Sequence, residues 1–196
     1  MVAAERGQAL TLEAVTAGIL LLLAVGFALQ MTAVTPLSAS TSSQHLENQL
    51  EASGQGALAG TAETGSLKAA VLYWNETESE FQGTNSAQYY RAGDPDNDFG
   101  DTLQRAFGNR SIAYNVVVHY QSPGGGMESQ RMVYQGDPSD HAVSASRTVT
   151  LLDSDNLTAG DDRPELRHSD SFYVPDVAPG RSLYNLVRVE VVAWRI

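Results

Sequence analysis

The sequence has no cysteine, and its basic residues are a single lysine, Lys68, and eleven arginines. Without cysteine, a disulfide framework, a thiol nucleophile and a thiolate metal site are all excluded. The shortage of basic residues leaves a formal net charge of −11. A surface of that sign repels the phosphates of nucleic acid, so nucleic acid is excluded as a partner. An acidic, lysine-poor surface stays hydrated in concentrated salt, and we infer a salt-loving source.

Recognisable catalytic spacing is also lacking. No G-x-S-x-G segment occurs, and the glycines at 124–126 are not followed by the Lys-Ser/Thr pair of a phosphate-binding loop. The four histidines lie in different segments without H-x-x-x-H or H-E-x-x-H spacing: His45, His119, His141 and His168. We therefore predict that the chain is not an enzyme and needs no cofactor.

One long apolar run is present near the N terminus. From Leu12 to Val34 there are only two strongly polar side chains, one of them Glu13. About 22 residues in a helix span about 33 Å, which is enough to cross a bilayer core. Arg6 precedes the run, and no lysine or arginine follows it before Lys68. By the positive-inside rule, the sequence predicts a single-pass membrane protein with its C-terminal domain outside the cell.

The residues around Glu13 resemble a known signal. The stretch Arg6-Gly7-Gln8-Ala9-Leu10-Thr11-Leu12-Glu13, followed at once by an apolar helix, resembles the class III leader of archaeal type IV pilins. The run Leu29–His45 and the segments Ile112–Val118 and Leu183–Val187 are similar to a haloarchaeal family of membrane-anchored, pilin-like proteins. The likeness spans most of the chain and implies location and architecture, but no particular activity.

The resemblance implies a processing site and an assembly residue. In pilins a prepilin-type peptidase cuts between leader and helix, and a glutamate five residues into the mature chain pairs with a neighbouring subunit's new N-terminal amine. Processing would fall among Gly7, Gln8 and Ala9, and Glu13 would serve assembly. Glu13 is fifth if the mature chain begins at Ala9. The usual cut after a small residue, here Gly7, makes it sixth.

Two other interpretations of the N-terminal stretch stay open. In an uncleaved signal anchor, Glu13 would lie at the headgroup level, near the positive end of the helix dipole. A removed secretory signal fits less well, because the apolar core is too long and no small-x-small cleavage site follows it.

Periodicity after the apolar run changes from helical to alternating. Apolar residues at helical spacing predict a helix over 42–58, and the glycine-containing segment 60–65 ends it. Beyond it we predict strands at 69–74, 112–120, 131–135, 143–151, 172–174 and 187–194, a turn at 122–126 and a helix at 100–107. The fold class is α+β, with a long N-terminal transmembrane and stalk helix followed by an antiparallel β-sheet head domain, as in pilins. The predicted divisions are a leader (1–8), a transmembrane helix (9–35), an extracellular helical stalk (36–62) and a β-rich extracellular head (63–196).

Three Asn-x-Ser/Thr sequons fall in the part predicted to lie outside the cell. They begin at Asn75, Asn109 and Asn156, each beside a predicted turn or element end. A glycan could be accommodated at such positions. The sequence therefore predicts a glycosylated surface domain.

The densest acidic cluster of the sequence has part of the pattern of a calcium-binding loop. Asp94, Asp96 and Asp98 place carboxylates at alternate positions, as at the start of an EF-hand loop. The glycine comes at the seventh place instead of the sixth, and Arg105 occupies the twelfth place, where the loop needs glutamate. Asp98 also suits the N-cap of the predicted helix. We therefore favour a solvated turn and predict no metal.

Together these features predict a structural protein. The expected function is a pilin-like subunit, major, minor or accessory, of a type IV pilus-like surface filament. Its expected partners are the membrane, a prepilin-type peptidase and other pilin-like subunits. The alternative is a membrane-anchored extracellular binding module that does not assemble, in which Glu13 is only an interfacial acid.

Overall fold

The computed structural model describes the backbone of residues 2–84, 87–91, 93–108 and 111–196. Side chains are described for the same residues except 2–12 and 30–43. The first element is a 62-residue helix, α1 (Val2–Glu63), and helices and antiparallel strands follow it. By its contacts, the chain divides into two compact units, residues 1–46 and residues 47–196.

The predicted transmembrane helix is wrong. Within the part of the chain whose side chains are described, no helix has a stretch long and apolar enough to cross a membrane. The described apolar segment runs from Glu13 to Leu29. Leu12 and residues 30–34, which lengthened the predicted span, lie outside the described side chains.

The predicted location is corrected with it. The prediction of a single-pass membrane protein with its C-terminal domain outside the cell depended on that span, and so did the description as a transmembrane protein. The fold class becomes a mixed helical and antiparallel-sheet chain.

The predicted stalk is not separate from the rest of the chain. From residue 47 onward, α1 belongs to the C-terminal unit and contributes to its core through Leu50 and Leu58. Gly54 lets the helix approach the sheet closely, because a Cβ there would lie 3.1 Å from the Cβ of Ala145. The last turns of α1 are thus a packed layer of this unit, not a stalk.

The segment after α1 is helical where a strand was predicted. α1 ends at Glu63, and Gly65 adopts a left-handed φ of 79° before α2 (Ser66–Val71) begins. The predicted strand 69–74 is wrong except at its last residue, which starts β1 (Trp74–Asn75). A short apolar run does not distinguish a buried helix from a buried strand. β1 pairs in antiparallel fashion with β2 (Glu80–Phe81).

A four-stranded antiparallel sheet is the centre of the C-terminal unit. Its strands are β3 (Ile112–Gln121), β4 (Met127–Tyr134), β5 (Val143–Leu152) and β6 (Leu183–Arg195), in the spatial order β4-β3-β6-β5. The predicted runs at 112–120, 143–151 and 187–194 are confirmed as β3, β5 and β6. The return strand predicted at 131–135 begins earlier, at Met127.

One sheet face forms the core, and the alternation of the strands determines which residues face it. Val116 pairs with Val191 and Val118 with Val189, and all four side chains are buried. The opposite face bears polar residues, including His119 of β3 and Glu190 of β6. Val149 of β5 extends the core at the sheet edge.

A short helix packs beside the sheet. α3 (Asp98–Leu103) continues into a π-helical turn, Gln104–Gly108, so the predicted helix at 100–107 is confirmed with an earlier start. The N-cap is Asn97, whose Oδ1 accepts bonds from the backbone N–H groups of Phe99 and Gly100, both at 3.1 Å. The predicted cap, Asp98, is instead the first helical residue. Gly100 admits no side chain, because a Cβ there would lie 1.9 Å from the Pro95 carbonyl oxygen.

The long connection between β5 and β6 contributes aromatic side chains to the core. The strand predicted at 172–174 is wrong. The only regular element of the connection is a 3-10 turn, Leu166–His168. The ring of Tyr173 lies 5.0 Å from that of Trp74 and 5.2 Å from that of Phe81. Its hydroxyl donates to the Val71 carbonyl at 3.1 Å. These side-chain contacts, and Pro175 directly after, take the place of strand pairing.

Candidate functional site

The N-terminal unit presents an apolar surface on every side of α1. All nine large apolar side chains between residues 15 and 29 are more than half exposed, from 52% to 75%. They are Val15, Ile19, Leu20, Leu21, Leu22, Leu23, Val25, Phe27 and Leu29. Four consecutive positions, 20–23, cover all faces of a helix with 3.6 residues per turn. A helix that is apolar all round is normally found buried.

Glu13 is the only charged residue in this described segment. It is exposed, and its backbone carbonyl accepts a bond from the Thr16 hydroxyl at 3.0 Å. The three positions predicted for processing, Gly7, Gln8 and Ala9, lie in the backbone of α1, and their side chains are outside the described residues. Glu13 is therefore an acid at the start of an exposed apolar helix segment.

The acidic turn does not assemble a calcium site. Asp94 is half-buried, and its Oδ1 accepts a hydrogen bond from the Tyr114 hydroxyl of β3. Asp96 and Asp98 are exposed. No group of three or more potential metal-ligating side chains comes together among the residues described.

Burial changes the chemistry of Asp94. Its Oδ2 is buried without a hydrogen-bond partner in the described part of the chain. Desolvation raises the pKa of this carboxyl above its ordinary 3.8, against the smaller lowering effects of bonds from Tyr114 and Gln104. Burial and the bond to Asp94 likewise raise the pKa of Tyr114. This pair fastens the acidic turn to β3.

Two of the sequon asparagines already use their amide nitrogens in the fold. Asn75 Nδ2 donates to Gln82 Oε1 at 3.1 Å, and its Oδ1 accepts from the N–H groups of Thr77 and Glu78. Glu76, the middle residue of this sequon, accepts a hydrogen bond from the backbone N–H of Asp170 at its Oε1, at 2.7 Å. A glycan at Asn75 would replace the bond from its amide.

The sequon at Asn156 is engaged more deeply. Asn156 Nδ2 donates to the Arg163 carbonyl at 2.9 Å, and the hydroxyl of Thr158 donates to the Ala69 carbonyl at 2.7 Å. A transferase needs both the amide and the hydroxyl, so modification here would have to precede folding. Asn109 lies outside the described residues. Glycosylation stays a prediction.

Two histidines meet carboxylates instead of each other. His119 Nε2 lies 2.8 Å from Glu190 Oε2 on the polar sheet face. His141 Nδ1 lies 3.0 Å from Glu47 Oε1 of α1. These single pairs join neighbouring elements and offer no shared ligand position.

A groove lies between the end of α1 and α3. It has a volume of about 360 Å³ and is lined by small residues of α1, including Gly56 and Gly60, by Asp101 of α3 and by Arg105 of the π-helical turn. Both glycines have open space where a Cβ would be. The groove is open to solvent.

One cluster was not found from the sequence. Tyr89 and Arg91 come together with Arg131 and Tyr134 at the edge of the sheet. The sequence offers only the Tyr-Tyr-Arg run at 89–91 as a signal, because the other two residues are about 40 positions away and join it only through β4.

Comparison with known proteins gives one match. The model of the Family of unknown function (DUF7288) matches residues 6–193 of the chain. The chain belongs to this family. The match includes the segment 13–29 and almost the whole C-terminal unit, so the family is defined by both units together. No curated protein and no solved structure matches the chain.

Proposed function

We propose that this DUF7288 member is a pilin-like structural subunit of a type IV pilus-like filament. The observation that supports the proposal is the exposed apolar segment of α1 at residues 15–29. The same segments of neighbouring subunits would cover it, packed side by side in a filament core. A major, minor or accessory subunit would use the same surface.

The free energy available from this packing is large. Burying one leucine or valine side chain is worth about 1.5–3 kcal/mol. Nine such large side chains are exposed within 15 residues of α1. Apolar residues on all faces suit a helix that is surrounded by copies, whereas a helix packed on one partner needs only a single stripe.

Glu13 would determine how neighbouring helices align. Cleavage by a prepilin-type peptidase within Gly7–Ala9 would give each subunit a positive N-terminal amine near the start of this helix. An acid enclosed by apolar helices is strongly disfavoured unless a positive group meets it. The pairing of Glu13 with a neighbour's amine would therefore be satisfied in one alignment of the helices and lost in others.

Replacement of Glu13 tests this function. We expect Glu13→Gln to reduce the yield of filaments sheared from cells at least tenfold, because the neighbour's amine would lose its counter-charge. Glu63→Gln is the matched control, since Glu63 is an exposed acid of the same helix. Total protein in whole cells should be unchanged for both. Equal filament yields from wild type and Glu13→Gln would contradict the assembly role of this acid.

A further inference from the structure

Two tyrosines and two arginines form a platform on the C-terminal unit. The rings of Tyr89 and Tyr134 meet edge to face, with centroids 5.9 Å apart at 87°. The guanidinium carbon of Arg91 lies 5.3 Å from the Tyr89 ring centroid, and that of Arg131 lies 4.5 Å from the Tyr134 ring centroid. Both arginines are exposed and both tyrosines are half-buried. We call these four residues the Tyr–Arg platform.

The platform is held in place by the main chain. Tyr90 lies alongside β4, where its N–H donates to the Met132 carbonyl and its carbonyl accepts from the Tyr134 N–H, both at 2.9 Å. Its ring packs toward Phe81 in the core, with centroids 6.5 Å apart, and its hydroxyl donates to the Gln82 carbonyl. Successive side chains of an extended segment point to opposite sides, so the neighbours of Tyr90 point outward. The platform is therefore ordered before any partner arrives.

The two arginines are not neutralised within the chain. Neither forms an ion pair among the residues that the structure describes, and Arg167, paired with Glu165, is the only arginine in that part of the chain that does. Asp137 Oδ1 accepts a hydrogen bond from the Tyr134 hydroxyl at 2.5 Å. In a chain with a net charge of −11, these two unpaired arginines, each over the ring of a neighbouring tyrosine, form a local patch of positive charge.

From this we infer that the Tyr–Arg platform binds the acidic turn of a second copy of the chain, through the exposed carboxylates of Asp96 and Asp98. The inference rests on the proposed function and adds a contact between C-terminal units to the packing of α1. The platform and the turn share no residue, so each copy offers one of each. Such a heterologous contact generates an open chain of subunits instead of a closed dimer.

Charge and composition favour a second copy as the partner. Strongly acidic units repel one another, and contact is favourable only where a positive patch meets a negative one. Asp96 and Asp98 are exposed and unpaired among the described residues, in the densest acidic run of the sequence. Tyrosine and arginine are also the residues most often responsible for binding energy at interfaces. Each guanidinium group also lies over the face of a tyrosine ring, an arrangement that holds it in place for a carboxylate.

Charge exchange between two variants tests the contact. One variant, Arg91→Glu with Arg131→Glu, makes the platform acidic. The other, Asp96→Arg with Asp98→Arg, makes the turn basic. Assembly of the processed chain, purified from cells that carry the peptidase, would be followed by light scattering and electron microscopy. We expect each variant alone to assemble at least tenfold less than wild type, because like charges would meet.

An equimolar mixture of the two variants should recover assembly, because every contact in an alternating polymer again joins opposite charges. Arg147→Glu with Arg181→Glu is the matched control: it makes the same change in charge at two exposed arginines outside the platform and should assemble like wild type. Circular dichroism checks that each variant is folded. If a reversal variant unfolds, Arg91→Gln with Arg131→Gln replaces it and should still weaken assembly.

The outcomes separate this contact from the proposed function. If the wild-type chain forms filaments and the charge-reversed variants assemble normally, the platform contact is overturned and the proposed function is not. The same holds if the mixture of the two variants does not assemble. Platform variants that assemble normally but no longer bind polygalacturonate would assign the platform to anionic carbohydrate instead. A processed wild-type chain that forms no filaments would contradict the proposed function and this contact with it.

Discussion

At the residue scale, the acidic turn shows how neighbouring carboxylates acquire different roles. Asp94 is drawn into the unit by the Tyr114 hydroxyl, whereas Asp96 and Asp98 stay exposed. The sequence pattern gives all three the same spacing and cannot separate them. The separation comes from tertiary structure, because β3 brings Tyr114 beside only the first of the three.

Burial of Asp94 predicts a dependence of stability on pH. Its pKa is raised in the folded chain above its ordinary 3.8. Between those two values the folded chain binds more protons than the unfolded chain, so the free energy of unfolding falls as pH rises through this window. Asp94→Asn keeps an oxygen acceptor for Tyr114 and cannot ionise, so this contribution to the fall should vanish.

Urea unfolding at a series of pH values from about 3.5 upward measures this effect. The stability of wild type relative to Asp94→Asn should decrease as pH rises. Asp96→Asn, in the same turn, is the control for a general change in charge. A difference between wild type and Asp94→Asn that stays constant or grows with pH would show that Asp94 does not titrate as described.

At the scale of elements, alternation was a reliable guide where one sheet face is buried. β3, β5 and β6 follow the predicted pattern, and the turn at 122–126 is closed by a bond from the Ser122 N–H to the Gly126 carbonyl at 2.9 Å. The pattern failed for short apolar runs. Residues 69–71 lie in α2, and residues 172–174 make side-chain contacts instead of a strand.

The apolar residues of α1 lie in two different environments that the sequence pattern does not distinguish. Residues 15–29 are exposed in the N-terminal unit, whereas Leu50 and Leu58 lie in the core of the C-terminal unit. Hydrophobicity alone predicts an apolar helix for both segments. The transmembrane prediction was drawn from this run and is wrong, because no helix among the residues with described side chains is long and apolar enough to cross a membrane.

Close packing of α1 on the sheet predicts a test at Gly54. A Cβ there would lie 3.1 Å from Ala145 and 3.9 Å from Phe107, so Gly54→Leu should cost about 1–3 kcal/mol of stability. Gly56→Leu is the matched control, because nothing lies within 4 Å of a Cβ at that position of the same helix. Urea midpoints compare the two variants. Equal midpoints would mean that α1 does not pack against β5 as described.

At the scale of the whole molecule, charge is the dominant property. With 23 acidic and 12 basic residues, the chain repels itself in dilute salt. Raising KCl from about 0.1 M to 1 M shortens the Debye length from about 10 Å to 3 Å. The melting temperature should therefore rise over this range, as followed by differential scanning fluorimetry. A melting temperature that falls or does not change would contradict the inference of a salt-adapted protein.

The assembly surfaces were predictable from the sequence to different extents. The apolar run and Glu13 are contiguous in the sequence, so they were found without a structure. The Tyr–Arg platform joins residues about 40 positions apart, and only the pairing of Tyr90 with β4 brings them together. A sequence pattern contains no information about such a contact unless the strand register is known.

The central claim is that α1 is processed and then packs with copies of itself in a filament. Mass spectrometry of the intact N terminus, on filament material sheared from cells, tests it most directly. The account predicts a chain that begins at Gln8 or Ala9 and is enriched in the sheared fraction. A chain that begins at Met1 or Val2 and is absent from that fraction would contradict it.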